Sequence, residues 1–154
     1  MDACVAAGYS FFTFDPGEYV DDEAEVAGAT ALRAALEDLP WQDLQDGPVD
    51  LTRRYLGRSF HAEQYEVPFD DLSLARAAVK YGAAVAHVAC LYCHLEAVGK
   101  GDFEVEISVD ETESPTTRVQ HVYIVSEAST TPRVSTMTPG RSPASHPATT
   151  CGGA

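Results

Sequence analysis

Two acidic positions in this 154-residue chain stand where a carboxylate could do chemistry. Asp15 closes the run SFFTFD at 10–15, just before Pro16-Gly17. Asp110, followed by Glu111, closes FEVEISVD at 103–110, within the longer stretch SVDETESPT at 108–116. Both runs read as strands. In β/α folds the reactive groups gather at the C-terminal ends of strands, in the loops that lead to the next helix. A carboxylate held there can ligate a hard or borderline divalent metal, or act as a general base. A structural role is open as well, since Asp110 and Glu113 could cap a helix starting near Pro115.

Other reactive side chains carry less. Cys90 and Cys93 form a CxxC pair, with His87 and His94 at helical spacing beside them. Zinc sites of this kind need a second ligand pair from elsewhere, and the sequence offers none. Small buried thiols on an apolar helix are the expectation. His61, next to Glu63, reads as a surface residue. No Walker loop, GxGxxG, GxSxG or HExxH occurs, so nucleotide binding and serine or zinc protease chemistry have no support.

The elements that must position these carboxylates follow from periodicity. The aromatic, β-favouring run at 9–15 is a strand ended by a Pro-Gly turn. Asp21 or Asp22 can cap a helix in which Val26, Leu32, Ala35, Leu36 and Leu39 recur at helical spacing until Pro40. Residues 41–50 read as a loop, 51–56 as a short helical turn ended by Gly57, and 60–69 as extended or irregular. The clearest element runs from about Asp71 to Val98, capped by Asp70 or Asp71, rich in Ala, and stopped at Gly99-Lys100-Gly101. Leu72, Ala75, Val79, Ala83, Ala86 and Cys90 track one face of it, and so apolar a helix wants burial on more than one side. A second strand, 103–110, places Phe103, Val105, Ile107 and Val109 on one face, and Pro115-Thr116 opens a further helix through Val125. Strand, helix, strand, helix with short connections implies parallel β/α units. Two parallel strands cannot close a sheet, so the chain reads as a section of a larger α/β domain.

Composition bounds the partners. Ten basic against 24 acidic residues give a net charge of −14, a surface that repels nucleic acid and anionic membranes. Such charge also suits solubility in salt. No basic leader precedes an apolar core at the N-terminus, and no apolar run is expected to reach the ~18–20 residues of a membrane span. Four scattered cysteines fit reduced thiols in a cytosolic protein. Every Asp and Glu lies before residue 128, and the remaining Ser/Thr/Pro/Ala/Gly stretch, 128–154, is expected to be disordered. The shift falls abruptly inside a helical pattern, Val119 to Glu127, as a frameshift in GC-rich coding DNA would produce; a genuine linker or tail is the alternative.

The segment FFTFDPGEYV at 11–20, and more specifically EVEISVDETESPT at 104–116 followed by Val119 to Val125, resembles the tagaturonate epimerase family. The order of elements between them agrees, and the resemblance covers about residues 6–127. It implies a metal-dependent cytoplasmic enzyme on a TIM-barrel-like scaffold, interconverting tagaturonate and fructuronate in hexuronate breakdown. A divalent metal ion is the implied cofactor and a sugar acid the implied small-molecule partner. Carried over, Asp110 and Glu111 stand at the active-site mouth, with Asp110 and Asp15 as catalytic candidates and Glu111 as the metal ligand. The ketone does not directly acidify the inverted stereocentre, so metal-assisted retro-aldol and re-addition, or transient oxidation, both remain open.

The family continues on both sides, with a downstream His-Ser-Gly-Ser-Asp segment and an upstream Asp/His-bearing segment that this sequence lacks. A barrel needs eight strands to close. The expectation is therefore an α/β protein, a partial TIM-barrel-like (β/α) section over 1–127 with a disordered tail, inactive as it stands. Two rivals stay open: a small acidic, non-catalytic binding or regulatory protein, and a small independent metal enzyme using Asp15, Glu111 and the His87/His94 helix.

Overall fold

The computed structural model describes residues 1–62, 64–99, 101–109 and 112–130. A short helix, α1 (Asp2–Ala6), leads into strand β1 (Phe11–Phe14), and a second strand, β4 (Glu104–Ile107), lies beside it far along the chain. The two are parallel and in register from Phe11 opposite Glu104 to Phe14 opposite Ile107. This is the parallel arrangement the strand–helix–strand order predicts. Between them come α2 (Ala29–Glu37), α3 (Trp41–Leu44), α4 (Pro48–Tyr55), an antiparallel hairpin of β2 (Ser59–Ala62) and β3 (Tyr65–Pro68), and the long α5 (Asp71–Val98). Helix α6 (Arg118–Thr130) ends the described chain. The described strands make two separate two-stranded sheets and do not close a barrel.

Helix α5 organises everything else. Asp70 accepts from the Ser73 backbone N–H at 2.7 Å while the Ser73 hydroxyl accepts from the Asp70 N–H at 3.0 Å, a reciprocal cap that fixes the start. At the other end Gly99 is extended rather than left-handed (φ −64°), and a Cβ there would meet the Leu95 carbonyl oxygen at 2.8 Å. Glycine is required at Gly99 for that close approach. Leu74, Ala77, Ala78, Tyr81 and Val85 pack into the core under α6 and the hairpin, whereas Val88, Ala89, Tyr92 and Leu95 pack against Phe14 of β1. Ala75 and Val79 cover Leu32 of α2. The helix is thus buried on three sides, as its composition demands, although Leu72, assigned to its buried face, is exposed. By length and composition α5 could cross a membrane, which the expectation of no such apolar run overlooked; in this fold it is largely covered by its neighbours.

Several local expectations are corrected. The helix expected from Asp21/Asp22 to Pro40 is broken: Asp22–Glu25 form a 3-10 turn capped by Asp21, and α2 starts only after Gly28, leaving Val26 89% exposed. The expected loop at 41–50 holds α3 and the start of α4, because Pro48 sits in the first turn, where its missing N–H costs nothing. Residues expected to be irregular form the β2–β3 hairpin, with Phe60 opposite Val67 and its ring packed on Tyr55 and Phe69. Residues 128–130, assigned to a disordered tail, continue α6; the rest of that stretch lies outside the described residues.

Candidate functional site

The parallel register brings the ends of β1 and β4 to one edge, and the Ser108 N–H donates to the Phe14 carbonyl at 2.9 Å, carrying the pairing one step beyond the strands. Asp15 therefore leaves β1 beside Ser108. Asp15 is exposed, and its Oδ1 accepts from the Gly17 N–H at 2.9 Å, so the carboxylate shapes the turn. Asp110 and Glu111 lie outside the described residues, as does Glu63. An open groove runs along β4 and the following loop, lined by Glu106, Ser108, Thr112, Glu113, Thr116 and His121.

The loop after Glu111 is anchored by a group that sequence reasoning passed over. Lys80, in the middle of α5, has no exposed side-chain surface. Its Nζ donates to Ser114 Oγ at 2.6 Å and lies 3.0 Å from Asp22 Oδ1 and 3.5 Å from Glu25 Oε2. Asp22 also accepts from the Glu113 N–H at 3.0 Å and from the Ser114 hydroxyl at 3.3 Å. Burial presses the Lys80 pKa down, but the hydrogen bond to Asp22 and the surrounding negative charge outweigh it and hold the ammonium above its usual value. The Glu113 N–H, aided by Lys80 and working against burial, holds the Asp22 carboxyl below the usual carboxylate range.

The far end of the loop is tied as well. The Tyr81 hydroxyl meets Thr116 Oγ1 at 2.9 Å. Thr117 caps α6: its hydroxyl accepts from the Gln120 N–H at 3.3 Å, and Gln120 Oε1 accepts from the Thr117 N–H at 2.8 Å. Gln120 Nε2 then donates to Glu25 Oε2 at 2.8 Å, joining the cap to the lysine cluster. Glu113 is thus not the cap of α6; its backbone serves Asp22, and Asp110 falls outside the described residues.

A second ionic cluster joins α4 to α6. Arg54 pairs with Asp46 and donates to Glu127 Oε2 at 3.0 Å and Oε1 at 3.2 Å, while the Tyr55 hydroxyl donates to Glu127 Oε1 at 2.7 Å. Burial pushes the Glu127 carboxyl up, against the opposing pull of Tyr55 and Arg54.

The histidine and cysteine positions disperse. His87 stacks on Tyr19 with ring centroids 3.9 Å apart, and burial lowers its pKa. His94 Nε2 lies 2.5 Å from Asp2 Oδ1, and His61 is exposed on β2. Cys90 and Cys93 are half-buried thiols. Among the described residues no three His, Cys, Asp or Glu side chains come together to hold a metal, so the described donors do not by themselves fit the implied divalent ion. Asp15 alone of the three expected site carboxylates can be placed.

One signal for the missed cluster was present in the sequence. Lys80 is a single cation amid thirteen mostly apolar residues, 77–89, where no helical neighbour one turn away carries an opposite charge. A buried lysine must find its partners elsewhere in the fold.

The sequence model of the tagaturonate epimerase family matches residues 1–139, a span that begins before and runs beyond the stretch carrying the resemblance. The tagaturonate/fructuronate epimerase of Thermotoga maritima is 32% identical over 120 residues, covering 78% of this chain and 23% of its own length. The native crystal structure of the fructuronate-tagaturonate epimerase from Cohnella laeviribosi superposes with a TM-score of 0.69 at 27% identity, covering 82% of this chain and 25% of that one. Its complex with two glycerols gives 0.71 at 26% identity. The chain thus spans about a quarter of the length of these relatives.

Proposed function

Because the chain belongs to the tagaturonate epimerase family, we propose that it carries one β/α section of an enzyme that interconverts tagaturonate and fructuronate. The observation that carries this reading is the β1–β4 parallel pair, which brings Asp15 and Ser108 to one edge within the matched region. On this reading the scaffold of the longer protein is TIM-barrel-like, and the strand ends form part of its active-site mouth. The substrate is a sugar acid, and Asp15 and Asp110 are the catalytic carboxylates. Glu111 is the ligand this chain offers to a divalent metal, which, when bound, would polarise a carbonyl. The remaining metal ligands come from parts of the relatives that this chain does not span. Alone, the chain is inactive, and with a net charge of −14 it avoids nucleic acid and anionic membranes.

A chimaera tests this directly: residues 1–130 replace the matching quarter of the Thermotoga maritima epimerase. Conversion of tagaturonate to fructuronate is followed by NMR, and bound metal by elemental analysis. The chimaera is expected to epimerise, and Glu111→Gln to lower both turnover and bound metal by about tenfold or more. A folded but inactive chimaera, or full activity and metal content in Glu111→Gln, would overturn the assignment. Turnover by the isolated chain would overturn its inactivity.

A further inference from the structure

We propose that Lys80 is a positioning residue which, through Asp22 and Ser114, clamps the loop Thr112–Thr117 onto α5 and so fixes how the chain leaves the C-terminal end of β4. The proposal rests on reading that loop as site-bearing. The geometry is specific. The ammonium has three oxygens about it: Ser114 Oγ at 2.6 Å, Asp22 Oδ1 at 3.0 Å and, farther off, Glu25 Oε2 at 3.5 Å. Two of these belong to the turn after β1, and one belongs to the loop after β4. Asp22 grips the loop a second time through the Glu113 N–H at 3.0 Å. One lysine therefore holds together the segments that follow both parallel strands.

A stability role alone explains this poorly. A buried charge is costly to desolvate, and an apolar side chain of similar volume would often serve the core as well. Through Ser114 the cation also ties down backbone that forms no helix or strand, whose ordering costs conformational entropy. Carboxylates at a strand end act only when held within a fraction of an ångström, which requires an ordered supporting loop.

Amide hydrogen exchange on the full chain tests the clamp without reference to substrate or turnover, so its failure is separable from failure of the epimerase reading. In Lys80→Met, the hydrogen-bonded amides of the loop, Glu113 and Thr117, are expected to exchange about tenfold faster while those of Val85–Tyr92 in α5 keep their protection. Lys80→Arg, which retains the cation, is expected to restore part of the loop protection. Uniform acceleration across loop and helix would assign Lys80 a merely structural role, and unchanged loop exchange would remove the clamp altogether. If Lys80→Met fails to fold, Ser114→Ala breaks the loop contact while leaving Lys80 paired with Asp22 and Glu25. Faster exchange confined to 112–117 then upholds the proposal, and wild-type exchange overturns it.

Discussion

Two ionic clusters, each built around one cation, sit in different parts of this fold and join different kinds of structure. Arg54 joins element to element: it lies on α4, and Glu127 lies on α6, both ends held by helical backbone. Lys80 joins an element to loops, because Asp22 and Ser114 belong to the connections after β1 and β4. The chemistry suits each task. A guanidinium is a planar fork that engages both Glu127 oxygens at once, whereas an ammonium is a compact point charge that gathers ligands from several directions. The partners differ as well. Asp46 and Glu127 are 9% and 8% exposed, while Asp22 and Glu25 keep 22% and 30% of their side-chain surface in water. Losing the cation strands buried charge in the first cluster and releases solvated charge in the second.

The largest effect therefore belongs to Arg54→Met. Removing it leaves two nearly buried carboxylates facing each other, and such a break costs about 3 kcal/mol in unfolding free energy. Urea denaturation followed by circular dichroism measures it. Lys80→Met is expected to cost about 1 kcal/mol by the same method, since Asp22 and Glu25 can turn to water. If the two losses were equal, the distinction between welding helices and pinning loops would collapse.

The clusters also respond to pH with opposite sign. Glu127 is held above its ordinary 4.5 by burial, so the folded state binds its proton more tightly than the unfolded one. The stability this provides is full below 4.5 and is lost as pH rises through the raised value. Its neighbours Arg54 and Tyr55, both raised further from this range, keep one charge state throughout. Asp22 behaves in the opposite way. Its folded pKa lies below 3.8, so its contribution is present above 3.8 and is lost as pH falls through the lowered value. Glu127→Gln should flatten the decline above 4.5 and leave the acid limb intact, whereas Asp22→Asn should soften the acid limb alone. Denaturation midpoints taken from pH 2.5 to 7.5 separate the two.

The sequence disclosed the frame better than the joints. Asp71–Val98 was legible because a capped, alanine-rich run of that length has only one reading; β1 followed from an aromatic, β-favouring run ended by Pro16-Gly17, and β4 from alternation. The β2–β3 hairpin was hidden by brevity: four residues a side, with Phe60, Ala62 and Val67 packed on the core, is too short for a period to show. Pro48 misled because proline marks a helix start as readily as a loop. The place of Asp15 at the end of a strand was readable from the Pro16-Gly17 turn. Lys80 stood out as a lone cation in an apolar run, but its partners Asp22 and Ser114 did not, because the contacts span 34 and 92 residues of sequence, where no local pattern links them.

The smallest predicted effect is also the control for the rest. Arg53, adjacent to Arg54, pairs with Asp50 at 2.8 Å, closer than Arg54 to Glu127 or Lys80 to Asp22, both at 3.0 Å. The side chains are 71% and 59% exposed, so water screens the attraction and hydrates either partner once the other is gone. Arg53→Ala should change stability by less than about 0.5 kcal/mol, within the error of a urea titration. Alanine also favours the helix slightly, which works against any loss. A drop comparable to that of Arg54→Met would mean that charge pairing as such, rather than burial of the partners, sets the energy of both clusters. No change would leave burial as the variable that separates a surface pair from a joint of the fold.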